Sequence, residues 1–231
     1  MRAILRQPTY QGLISLARTQ AAQLGAGRPD TLRIVVMIQS ASEPFKRHEE
    51  ARAAVVAIRL AELMGLYRRQ PGATPDRTSL EEVVASAAEA GIGEQLALAT
   101  RLRGRQRGDL ASAVLEVLEA SPMPRAEIPA LAAILGIEPL SALTGASLAS
   151  LRRYMSAART TPDAVALRIH FVARLVAILL GSYNQFGVRR WFERPRSQLG
   201  GTTPGTLLTG AWNPEDEGPM RVARLAEALL T

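Results

Sequence analysis

The chain has 231 residues, 47% of them hydrophobic and none of them cysteine, enough to bury a core while excluding disulfides, thiolate metal sites and cysteine nucleophiles. Its net charge of +7 is carried almost wholly by arginine, Lys46 being the only lysine; such a balance suits phosphate or an acidic partner and equally follows from a codon bias toward Arg and Ala. Aromatic residues are 4% of the chain and Ala and Leu abound, so the expected fold class is all-α with at most one short strand.

Residues 9–27, TYQGLISLARTQAAQLGAG, read as a helix ended by glycines, and LRIVVMIQ at 32–39 is the short β-branched run that fits either a strand or a buried helix. From Glu43 to Tyr67, Val55, Ile58, Leu60, Leu63 and Leu66 mark one wide apolar helical face, with Arg47, Arg52 and Arg59 mostly outside it. RRQPGATPDR at 68–77 breaks the pattern. SLEE at 79–82 then reads as a capping box that opens a helix to about Ala90, with Ser79 as the cap and Glu82 reaching back. A short helix is expected over Leu96–Arg103 and another over 109–120, capped by Asp109. Between them RLRGRQRG carries Arg101, Arg103, Arg105 and Arg107, either a phosphate-contacting arm or a solvated connector. SPMPR at 121–125 reads as a boundary.

After it, AEIPALAAILG forms a helix stopped by Gly136, and EPLSALTG a second one with Pro139 in its first turn and Gly145 at its end. A helix-turn-helix needs a residue free to take positive φ between its helices, a small residue where they cross, and apolar residues that lock the second helix onto the first. Gly145, Ser141 and the trio Leu140, Leu151 and Tyr154 meet these demands in order. Ser147 is the expected cap of the reading helix in GASLASLRRY. The candidate DNA-binding residues are Ser147, Leu148, Ala149, Arg152 and Arg153. The two arginines suit guanine edges or phosphates, and Leu148 and Ala149 suit at most a thymine methyl. The outward apolar pair fits a protein interface as well.

TTPDAVALRIHFVARLVAILLGSYN at 160–184 is the strongest helix in the chain, with Thr161 as cap, Pro162 in the first position and Asp163 complementing the dipole. Val165, Ile169, Val172, Val176 and Leu179 mark its apolar face. Seven of the ten aromatic residues lie between Tyr154 and Trp212, so the best-defined packing is expected there. Trp191 and Phe192 are placed to pin a helix over 185–194 to the long one, Pro195 to stop it, Gly200 and Gly201 to turn the chain, and Thr203 with Pro204 to start the next helix.

The order of these motifs resembles the MbcA/ParS/Xre antitoxin family, in which a helix-turn-helix-like region precedes a small helical toxin-binding domain. The matching residues are Gly181, Trp191, Phe192, Pro195, Leu199, Gly200, Gly201, Thr203, Pro204, Leu207 and Leu208, followed by Gly218 and Val222. The resemblance covers roughly 130–231. It implies a partner, a RES-type toxin that consumes NAD, whose active-site entrance is covered by the antitoxin's C-terminal segment. On that basis Trp212, Glu215, Asp216, Arg221 and Arg224 are the candidate toxin-binding residues. Residues 1–120 extend beyond the resemblance, and WNPEDEGPM at 212–220 lengthens the loop before the last helix. The organisation expected is therefore an N-terminal helical region at 1–120, a helix-turn-helix-like region at 121–160 and an antitoxin-like domain at 161–231.

No paired carboxylates near a nucleophile and no glycine-rich loop after a strand occur in the sequence, and Gly25 and Gly27 follow a helix. His48 and His170 are the only histidines; the first reads as solvated and the second as a packed or surface residue. The chain is therefore read as no enzyme, with no cofactor and no metal site. The N-terminus has no apolar run of signal type, and VARLVAILLG at 172–181 is too short to span a bilayer, so a cytoplasmic protein without a membrane partner is expected. Three functions fit: an antitoxin that blocks a RES-type toxin and binds double-stranded DNA as an autoregulator, a stand-alone DNA-binding regulator, and an interaction adaptor that does not touch DNA. A homodimer is expected wherever DNA is bound, because paired half-sites match a two-fold protein.

Overall fold

Asp76, rather than Ser79, opens the first helix that the sequence placed by a cap. The computed structural model describes residues 48–70, 74–102 and 110–230, and every regular element among them is helical, with no strand. The helix expected over 9–27, the run 32–39, the side chain of Arg101, and residues Arg103, Arg105, Arg107 and Asp109 lie outside what is described.

Helix α1 (His48–Leu63) is more deeply covered than a one-faced helix. Ala54, Val56, Ala57, Ile58, Leu60, Ala61, Leu63 and Met64 are all buried, while Val55 is only half-buried. Small alanines beside the large residues let neighbouring helices approach on more than one side, which widens the face beyond the large apolar positions. Arg59 and Arg69 both reach Glu62, at 3.0 and 3.3 Å, along its polar edge.

Helix α2 (Arg77–Glu89) corrects the expected capping box. Asp76 Oδ1 accepts both the backbone N–H and the hydroxyl of Ser79, each at 2.8 Å, so Ser79 is a buried first-turn residue. Both residues are good caps three positions apart; an ionised carboxylate accepts the two bonds together, and this favours the earlier start. Helices α3 (Glu94–Leu102) and α4 (Leu110–Glu119) follow, with α4 packed along α1.

Helix α5 (Pro124–Leu135) starts inside the stretch 121–125, with Pro124 in its first position. One apolar cluster runs from Ala54 in α1 to Ala226 near the C-terminus, so Pro122 and Pro124 turn the chain between α4 and α5 without dividing the core. Helices α6 (Ile137–Thr144) and α7 (Leu148–Met155) come next, both packed on α5.

The long helix α8 (Asp163–Leu180) begins one residue later than expected. Pro162 is its N-cap, makes no side-chain capping bond, and offers its carbonyl to the N–H groups of Val165 and Ala166, both at 2.9 Å. Thr161 therefore precedes the cap. From Ile169 to Leu179 every residue except Arg174 is buried, the state expected of a helix apolar all round. It is the central element, packed against α1, α5, α6 and the last helix. Helices α9 (Gln185–Glu193), α10 (Pro204–Leu207) and α11 (Glu217–Glu227) complete the chain, with a short 3-10 turn at Ser197–Leu199. No helix of the described residues is long and apolar enough to cross a membrane.

Candidate nucleic-acid and partner interface

The unit α6–turn–α7 carries the glycine turn and the serine cap expected at these positions. Thr144 closes α6 by donating its hydroxyl to Leu140 O at 2.7 Å. Gly145 then takes φ 67°, the left-handed conformation that turns the chain. Ser141 donates to the carbonyl of Ala146 at 2.7 Å and fixes the far side of this turn. Ser147 opens α7, its hydroxyl oxygen accepting the N–H of Ser150 at 3.2 Å. Leu140, Leu151 and Tyr154 are buried and lock the pair of helices together.

Gly145 answers a second demand. A Cβ there would stand 2.7 Å from the carbonyl oxygen of Gly210 and 3.1 Å from Nη1 of Arg168, which itself donates to that carbonyl at 3.2 Å. Gly145→Ala is expected to cost about 1–3 kcal/mol through the left-handed backbone alone, and more through the clash. Gly200, also at φ 67° but with no atom within 4 Å of where a Cβ would stand, supplies the control. Thermal melts should show a larger drop in Tm for Gly145→Ala than for Gly200→Ala, and equal drops would remove the close approach from the account.

Of the candidate reading residues, Ala149, Arg152 and Arg153 are exposed, Ser147 is exposed and engaged as the cap, and Leu148 is half-buried. Arg152 and Arg153 stand in the last turn of α7, and neither meets a carboxylate among the described residues. They are available cations on the outward side of the helix that Leu151 and Tyr154 hold down.

The motif residues of the C-terminal region are mostly structural. Trp191 and Phe192 are buried, with ring centroids 5.2 Å apart in an edge arrangement, and Arg196 covers the Trp191 ring at 5.7 Å. Pro195 follows the end of α9. Between Arg196 and Thr202 the chain folds back on itself: Arg196 N–H donates to Thr202 O at 3.1 Å and Gly201 N–H to Arg196 O at 2.9 Å. Gly200 and Gly201 carry the left-handed steps of that turn. Thr203 caps α10 by accepting the N–H of Thr206 at 3.0 Å, with Pro204 first in the helix.

The five candidate toxin contacts are not equally open. Trp212 is in the core: its indole N–H donates to Leu143 O at 2.9 Å and Leu208 O at 2.8 Å, and its ring meets Phe171 edge-on with centroids 5.2 Å apart. It ties the C-terminal segment to α6 and α8 and offers no surface to a partner in this arrangement. Asp216 is exposed but folds onto its own loop, Oδ2 accepting Asn213 N–H at 2.7 Å. Arg221 is half-buried and donates to Gln198 O at 3.2 Å, joining α11 to the 197–199 turn. Glu215 and Arg224 are exposed.

One polar cluster has no counterpart in the sequence pattern. Glu127, fully buried in the first turn of α5, places Oε1 2.5 Å from Nδ1 of His170, which is 3% exposed. The other ring nitrogen lies 3.0 Å from the carbonyl of Glu119, and Arg174, one turn along from His170, donates to Glu119 Oε1 at 2.9 Å. The cluster joins α4, α5 and α8. No local pattern announces it, since 43 residues separate Glu127 from His170 and a first-turn glutamate reads as ordinary dipole complementation. Among the described residues no group of three or more His, Asp and Glu is placed to hold a metal.

Comparison with family models, with curated proteins and with solved structures returned no significant match.

Proposed function

We propose that the chain is an antitoxin-like protein that binds and blocks a NAD-consuming RES-type toxin and represses its own synthesis by binding double-stranded DNA through α6–α7. The observation that carries the reading is the turn at 196–204, in which each residue of the LGGTTP motif has a backbone role. The segment that leads from this turn to α11 is joined to α6 through Trp212 and to α8 through Arg168, so both proposed surfaces belong to one folded body. The toxin would contact the outer side of α11 and its preceding loop, where Glu215 and Arg224 are exposed, and Trp212 would act as the anchor of that segment. Co-expression with a RES-domain toxin encoded beside the chain should yield one co-eluting species in gel filtration. Two separate peaks would count against the proposal.

On the DNA side, α7 would enter the major groove by its N-terminal turn, with Arg152 and Arg153 reaching phosphate or guanine. A second copy of the chain would supply the other half-site. Arg152→Ala with Arg153→Ala should weaken binding to the promoter fragment about tenfold or more and reduce the log–log salt slope by about 2, since each phosphate contact contributes about 0.9. Fluorescence anisotropy across a salt series reads both quantities. An unchanged affinity and slope would remove α7 from the DNA contact.

A further inference from the structure

The end of α7 and the start of α5 border an open cleft of about 680 Å³, within the size range of small-molecule sites. Pro124 and Tyr154 form part of its apolar wall, and Arg125, Arg159, Thr160 and Thr161 supply its polar groups. No Asp or Glu lines it. Arg125 and Arg159 are exposed, and neither forms an ion pair among the described residues.

Two observations point into this space. Tyr154 is only 5% exposed, lines the cleft, and makes no side-chain hydrogen bond among the described residues. Its ring is held by the core while its hydroxyl, unpaired among the described residues, can donate to or accept from a ligand at the cleft wall. At the start of α5, the N–H groups of Ala126 and Glu127 both turn back to Met123 O at 3.0 Å; Pro124 has no N–H, and Met123 provides no side-chain cap. The Arg125 N–H is therefore the first-turn donor left facing outward, beside its own guanidinium. Ala157, which also lines the cleft, takes φ 56° at the position after the C-cap of α7, the left-handed step that commonly ends a helix and that turns the chain toward Arg159.

We infer that this cleft binds a small anionic molecule with a flat apolar body, its carboxylate or phosphate held by Arg125, Arg159 and the Arg125 N–H, and its body against Pro124 and Tyr154. Binding there requires neither DNA nor toxin. Both guanidinium groups present planar donor forks that match either anion, and the apolar wall disfavours a bare inorganic ion.

The test is a titration of the full chain followed by amide chemical shifts, with benzoate, phenyl phosphate and the neutral benzyl alcohol as probes. Saturable shifts confined to residues 125–126 and 157–161 are expected with at least one of the two anions, and the stronger of them identifies carboxylate or phosphate as the group preferred. Arg125→Ala with Arg159→Ala should weaken that binding about tenfold or more, and Tyr154→Phe, which keeps the buried ring, should weaken it severalfold. Circular dichroism shows that the variants remain folded. Failure of both anions to saturate, equal shifts with benzyl alcohol, or unchanged affinity in either variant would overturn the inference.

Discussion

Replacing Trp212 with alanine is expected to lower the free energy of unfolding by about 3–5 kcal/mol. The ring is 6% exposed and packs edge-on against Phe171 of α8, so truncation removes a large apolar contact and leaves a cavity between α6, α8 and the chain leading to α11. The indole N–H is shared by Leu143 O and Leu208 O, and losing it takes a donor from two buried acceptors. Trp212→Phe separates the two effects: it keeps most of the ring and should cost about 1–3 kcal/mol for the lost donor. Urea unfolding measures both variants. A loss below about 1 kcal/mol for the alanine variant, against the range expected of a buried tryptophan, would mean that Trp212 is not packed. The residue would then return to the partner-facing role that the family resemblance implies.

The second large effect is expected at Glu127. Removing one member of a buried pair typically costs about 3–5 kcal/mol because the remaining group is left without its partner. Glu127→Leu should fall in that range. The partner left behind is His170, whose two nitrogens face Glu127 Oε1 and the Glu119 carbonyl. Both are acceptors when the carboxylate is ionised, so the arrangement needs two protons shared among the ring and the carboxyl group. Glu127→Gln can still donate to Nδ1 and should be far milder than Glu127→Leu. The double replacement Glu127→Leu with His170→Leu should regain most of the stability, because an apolar pair of fitting volume needs no partners. Chemical denaturation of Glu127→Leu, His170→Leu and the double variant as a cycle reads the coupling. If the double variant were as unstable as the sum of its singles, the two side chains would not be acting as a pair.

These two residues also mark the limit of what the sequence discloses. The α6–α7 turn was legible because its signals are local: Gly145, Ser147 and Leu151 lie within seven positions, and each type has one natural place in such a turn. The LGGTTP turn was legible for the same reason. Helix starts were less so. Asp76 and Ser79 are both good caps, and α8 starts from Pro162 although Thr161 is the better capping type; such choices are settled by which backbone donors the surrounding fold leaves unpaired.

Trp212 and Glu127 were opaque for a different reason. The indole reaches Leu143 across 69 residues and the carboxylate reaches His170 across 43, and periodicity carries no information on such pairings. A tryptophan next to the acidic loop 214–217 looks like a contact residue until the chain is folded. The width of the α1 face was underestimated because alanine adds little to an apolar pattern, yet it decides how closely helices approach.

The antitoxin reading is tested most directly by the rate at which a RES-domain toxin, if one is encoded beside the chain, consumes NAD when titrated with the purified protein. The predicted result is a fall to background as the chain reaches equimolarity, retained when Arg152 and Arg153 are alanine, because these residues stand on α7 and not on α11. An unchanged rate of NAD consumption at large excess of the chain would contradict the account.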